Sequence, residues 1–147
     1  MTLVAFTLLT LTTLGPTELP ALGEATYYNP GVMEAVYQYR RETGTVPECS
    51  DCLGAVAMLS PADLGRKVWI AQLGGVPTGP YIVADCAAPQ HIARLQARGW
   101  LIDLPYDLAM QWGMAGPIQV TVWDQASWCN DIWRYQTAKQ DLEPCAN

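Results

Sequence analysis

Apolar and polar positions alternate over Pro117-Ile-Gln-Val-Thr-Val-Trp123, and this run and the largely apolar Lys67-Val-Trp-Ile-Ala-Gln-Leu73, the clearest strand of the chain, both read as strands. Shorter β-prone runs lie at Gly23–Tyr28, Gly54–Leu59, Tyr81–Asp85 and Trp100–Asp103, bounded by Asn29-Pro30-Gly31, Gly74-Gly75 and Pro77-Thr-Gly-Pro80 as turn signals. Helical spacing appears at Met33–Thr43, ending on Gly44, and at Pro89–Arg98, where Ile92, Leu95 and Gln96 share a face and Gly99 stops the helix. A third helix is expected over Pro105–Trp112, with proline suited to its first turn. Ser60-Pro61 reads as the cap and first residue of a short helical turn. Six short strands with two or three small helices predict a mostly-β α+β domain, closed into a barrel because closure removes exposed strand edges.

The 147 residues predict one domain over 24–124 with a full core. Met1 to Leu14 carries no charge, and its apolar stretch is too short to span a bilayer comfortably. Small residues at Ala21 and Gly23 suit a cleavage site, so residues 1–23 are read as a secretory signal that leaves no stable membrane span after cleavage. Residues 125–147 form a tail with Trp128, Trp133 and Tyr135. Half of the chain is hydrophobic, 15% is charged and the net charge is −6, which argues against nucleic acid and polyanionic surfaces as partners. Neutral substrates remain open, and a monomer is expected.

Five cysteines agree with export to an extracytoplasmic, oxidising compartment: Cys49, Cys52, Cys86, Cys129 and Cys145. Spacing does not fix their connectivity; the expected pairs are Cys86 with Cys49 or Cys52, and Cys129 with Cys145. A zinc site would need Cys86 and His91 beside Cys49-x-x-Cys52, and this spacing lacks a second ligand pair, so no metal is expected. The stretch Pro47–Gly54 is turn-like, where a redox Cys-x-x-Cys would open a helix. No phosphate-cradling glycine loop is present, and no cofactor is implied.

Two strand-like runs end on aspartates, Asp85 and Asp103, and each leads into a helix. A carboxyl at a strand end, partly walled by tyrosine and tryptophan, can hold a proton for a leaving oxygen. Each aspartate also suits a structural role at the start of the following helix, Asp85 by capping the turn and Asp103 by facing the helix dipole. Tyr28, Trp100, Tyr106 and His91 are the candidate substrate-binding residues, the aromatic rings as sugar-stacking surfaces.

Taken in order, Gly23-Glu-Ala-Thr-Tyr-Tyr28, Leu64-Gly65-Arg-Lys-Val68, Thr78-Gly-Pro-Tyr-Ile-Val-Ala-Asp-Cys86, Leu101-Ile-Asp-Leu104 and Met110-Gln-Trp-Gly-Met-Ala-Gly116 resemble the double-psi β-barrel domain of rare-lipoprotein-A (septal-ring lytic transglycosylase) proteins, expansins, barwin and family-45 endoglucanases. The resemblance implies a six-stranded double-psi barrel. It implies a cell-wall polysaccharide, such as peptidoglycan, as partner, with Asp85 as acid/base and Asp103 assisting. Family-45 endoglucanases place their base near the first strand, where this chain has Tyr28-Asn29, and the lytic family carries a histidine around Ala55–Leu59, where this chain has none. The expected activity is therefore lytic transglycosylation by a single aspartate. The alternatives are a non-catalytic expansin-like or barwin-like carbohydrate-binding module, or a secreted protein–protein module using the tail.

Overall fold

The computed structural model describes residues 14–125 and 127. The expected tail with Trp128, Cys129 and Cys145, and the apolar stretch of residues 1–13, lie outside them. Six strands form one closed barrel: β1 (Ala21–Tyr27), β2 (Ala55–Met58), β3 (Lys67–Gln72), β4 (Thr78–Cys86), β5 (Trp100–Leu104) and β6 (Ile118–Trp123). Around the barrel the order is β1-β5-β2-β4-β3-β6. The β1/β5 and β2/β4 pairs are parallel and the other four are antiparallel. Helices α1 (Val32–Glu42), α2 (Ile92–Arg98) and α3 (Tyr106–Gln111) fill the connections. The mostly-β, six-stranded architecture with short helices expected from the hydrophobic pattern is the one observed.

The alternation along the strands builds two apolar layers. Val56, Met58, Val68, Ile70, Tyr81, Val83, Ile102, Leu104, Val120 and Val122 meet in the main core. On the other face of β2 and β4, Ala55, Ala57, Ile82 and Ala84 pack against Met33 of α1 and Val46. Small side chains on that face let α1 lie close to the sheet, and Tyr37 packs beside Met33 one helical turn on.

Both parallel pairs contain a one-residue register shift of the β-bulge kind. Val56 lies opposite Val83 but Ala57 lies opposite Asp85, which leaves Ala84 as the extra residue. Glu24 lies opposite Trp100 but Ala25 lies opposite Ile102, which leaves Leu101 extra. A bulge re-aims the side chains beyond it. Room for the second shift comes from Gly23, where an added Cβ would stand 2.6 Å from that of Leu101. Gly79, read as part of a turn before the strand, lies inside β4, and a Cβ there would meet Val68 O and the Trp69 ring at 2.9 Å.

Two sequence expectations are corrected. Cys49 and Cys52 bridge each other, and Cys86 is a free thiol, so Cys86 does not staple the 47–54 turn to β4. The turn itself brings the partners together: Cys52 N–H donates to the Cys49 carbonyl, with Cα atoms 5.4 Å apart. The second concerns the barrel's start. Ala21, Leu22 and Gly23 are already paired with β6, upstream of the expected boundary at residue 24.

The segment before β1 is tied down by buried polar contacts. Asp63 is fully buried and accepts from Thr17 N–H and from the Thr17 hydroxyl. It is also paired with Arg66 at 2.9 Å; Arg66 donates to the Thr17 carbonyl and reaches Asp124 at 3.0 Å. Removing one partner of a buried charge pair leaves the other uncompensated. Asp63→Ala is expected to cost about 3 kcal/mol in denaturant unfolding. A chain starting at Glu24 should unfold at a lower denaturant midpoint than one starting at Leu14. Unchanged midpoints in both variants would show that this segment does not hold the barrel.

Candidate functional site

Register brings the two strand-end aspartates into one row. Asp85 on β4 lies opposite Ala57 on β2, Ala57 lies opposite Asp103 on β5, and Asp103 lies opposite Thr26 on β1. Asp85 and Asp103 are therefore separated by two strand spacings, about 9.5 Å between backbones. Only the Ala57 methyl stands between them. All four side chains line a groove of about 370 Å³ on the outside of the barrel, together with Tyr28, Cys86, His91, Arg98 and Trp100. A larger cavity of about 840 Å³ opens between α1 and the 44–54 loop, but neither aspartate lines it, and its Glu34, Glu42 and Glu48 are exposed.

The two carboxyls stand in different surroundings. Asp85 pairs with Arg40 Nη2 at 3.1 Å and accepts from the Tyr28 hydroxyl at 2.9 Å, so each of its oxygens has a donor. Among the described residues Asp103 has a single donor, the Thr26 hydroxyl at 2.9 Å, and that hydroxyl accepts from the Trp100 indole N–H at 2.7 Å. No ion pair reaches Asp103 among the described residues. Burial pushes the Asp103 carboxyl up to about 6; the Asp85 charge adds to this, and the Thr26 hydrogen bond pulls the other way. The raised carboxyl of the groove is therefore Asp103.

Tyr28 is raised well above the usual phenol range, first by burial and then by its hydrogen bond to Asp85, so it remains a donor. Burial, reinforced by the Asp85 charge and opposed by Arg40, pushes the Cys86 thiol up, so it stands as a neutral thiol rather than a nucleophilic thiolate.

The expected binding residues divide. Tyr28 and His91 line the groove, and Trp100 forms part of its wall. Trp100 is buried, with its indole nitrogen committed to Thr26, so it supports the row rather than offering an open stacking face. Tyr106 is not among the groove residues; it packs on Tyr27, ring centroids 6.2 Å apart, on the other side of β1.

Arg40, Thr26 and Ala57 were not singled out by the sequence reading. Arg40 had one available signal. Met33, Tyr37 and Arg40 recur at i, i+4 and i+7, so a cation lies on the stripe of α1 that faces the barrel and calls for an anionic partner. Among the described residues, the possible metal-ligating cluster is Cys49, Asp51 and Cys52. Its two sulfurs are joined in the disulfide, and Asp51 is bound to Lys67 at 2.7 Å, so these groups do not suit a metal ion.

The raised Asp103 value carries a stability signature. In the unfolded chain this carboxyl returns to the model-peptide value of about 3.9. Between about pH 4 and pH 6 the folded state therefore binds more protons, and stability falls as pH rises through that window. Asp103→Asn, which keeps an acceptor for Thr26, is expected to remove this slope in urea midpoints measured from pH 3.5 to 8. Equal slopes in wild type and variant would show that Asp103 is not the proton-holding group.

Comparison with known proteins adds no assignment: no protein-family model, curated protein or solved structure matches the chain.

Proposed function

We propose that this chain is an exported double-psi-type barrel that binds cell-wall glycan strands and cleaves them by lytic transglycosylation, with Asp103 as the acid. The observation that carries the reading is a half-buried carboxyl, pushed up to about 6, facing a groove beside a second carboxylate that is ion-paired. In that arrangement Asp103 donates its proton to the glycosidic oxygen as the bond to C1 breaks. The sugar's own 6-hydroxyl then attacks C1 and gives its proton to the Asp103 carboxylate, which restores the acid. No water enters, and the product carries an anhydro ring. Asp85, fixed by Arg40 and Tyr28, supplies negative charge near the positive charge that develops at C1. One acid/base suffices for this chemistry, consistent with Ala57 standing where a second proton carrier would fit between the aspartates.

Export is supported by the Cys49–Cys52 disulfide, since such bonds persist in oxidising compartments. Among the described residues no helix is long and apolar enough to cross a membrane. The same Ala57 favours a second reading, a module that holds glycan without cutting it, because the position offers no group to assist proton transfer.

Full-length protein incubated with purified peptidoglycan, followed by mass spectrometry of the released fragments, separates the two. Anhydro-muropeptides are expected from the wild type, with release lowered about 10²- to 10⁴-fold in Asp103→Asn, the usual contribution of a general acid. Protein that pellets with the wall and releases nothing would establish the binding module. Full activity in Asp103→Asn would remove Asp103 from the chemistry.

A further inference from the structure

Asp85 lines a second groove as well as the first. This one, of about 720 Å³, runs along α1 and is walled by Val32, Ala35, Val36, Tyr39 and Arg40. These residues recur at i, i+3, i+4, i+7 and i+8, one continuous stripe of the helix. Met33 and Tyr37, which pack toward the barrel, lie on the adjoining stripe, with Arg40 at the border of the two, so Val32, Ala35, Val36 and Tyr39 form an additional apolar face outside the core clusters of the described residues. Tyr39 is 63% exposed and Val32 is 38% exposed. The only charged groups in this groove are Arg40 and Asp85, and they are paired with each other. Arg40 Nε is buried beside this groove without a partner among the described residues.

We infer that the α1 groove is a second glycan subsite, in which a further sugar of the same strand stacks on Tyr39 while the adjoining bond lies at Asp85 and Asp103. The inference rests on the glycan reading above and extends it from a single site to a strand held on both sides of Asp85. A neutral pyranose fits the wall chemistry: its C–H face covers the exposed tyrosine ring, and its rim of oxygens can accept from Arg40. A charged peptide would find no free counter-charge in this groove. Continuity through Asp85 favours another unit of the same polymer over an unrelated partner.

The test uses full-length protein and N-acetylglucosamine oligomers of two to six units, with binding followed by calorimetry. Wild-type affinity is expected to rise as the oligomer grows long enough to cross Asp85. Tyr39→Ala should flatten that rise, with about a tenfold loss for the longer oligomers, the scale of one aromatic contact. Tyr39→Phe should keep the rise, because the ring is retained. Tyr39 is exposed, so a thermal melt of each variant should match the wild type. A rise unchanged in Tyr39→Ala would overturn the second subsite and leave the glycan reading standing. Absence of binding at every length in the wild type would overturn both.

Discussion

Side chains two apart in a strand share a face, so by default Asp85 would point with Tyr81 and Val83 into the barrel, and Trp100 would point with Ile102. A carboxylate in that interior would lose its hydration with no partner to replace it. The extra residues Ala84 and Leu101 break the alternation in both parallel pairs. Val83 and Ile102 stay in the core, while Asp85 and Trp100 turn to the outer face, where Asp103 already points as the neighbour of Ile102. The two shifts thus bring Asp85 and Trp100 into one row with Asp103.

Once the row exists, its members acquire unlike properties from their neighbours. Asp85 sits where α1 crosses the sheet, so a cation from the helix and a hydroxyl from the end of β1 converge on it. Asp103, one strand beyond Ala57, has no ion pair among the described residues and is held by the Thr26–Trp100 hydrogen bonds. Two identical side chains separated by two strand spacings therefore differ in their surroundings, one ion-paired and the other pushed up to about 6 by burial. The proposed glycoside chemistry uses that difference, because in it one group must hold a proton while the other offsets positive charge.

Much of the barrel could be read from the chain. Ile118–Val122 alternates because one face of β6 is buried, the apolar run of β3 is a strand with Val68, Ile70 and Ala71 all buried, and Gly99 closes α2 in a left-handed conformation as its position implied. Ser60 accepts from Ala62 N–H, the cap that its place before Pro61 implied. Both aspartates were identifiable from their positions at strand ends. Their relative surroundings were not, because periodicity carries no information about bulges, and an alternation argument places Trp100 and Asp103 on opposite faces. The disulfide was missed for a related reason: pairing Cys86 with the turn assumed a staple across elements, whereas the turn closes on itself. Tyr106 flanks Asp103 in sequence, yet it follows Leu104 and Pro105 onto α3 and packs on Tyr27 instead of entering the groove.

The division between the two carboxyls is the claim on which the chemistry stands, and a direct reading of the Asp103 proton tests it. Carbon-13 NMR titration of the aspartate side-chain carboxyls, with Asp103→Asn used to assign the resonance, measures where this group gives up its proton in the folded protein. The account predicts a midpoint for Asp103 near 6. A midpoint near the model-peptide value of about 3.9 would contradict it, because Asp103 would then have given up its proton well below pH 6 and the groove would not hold it.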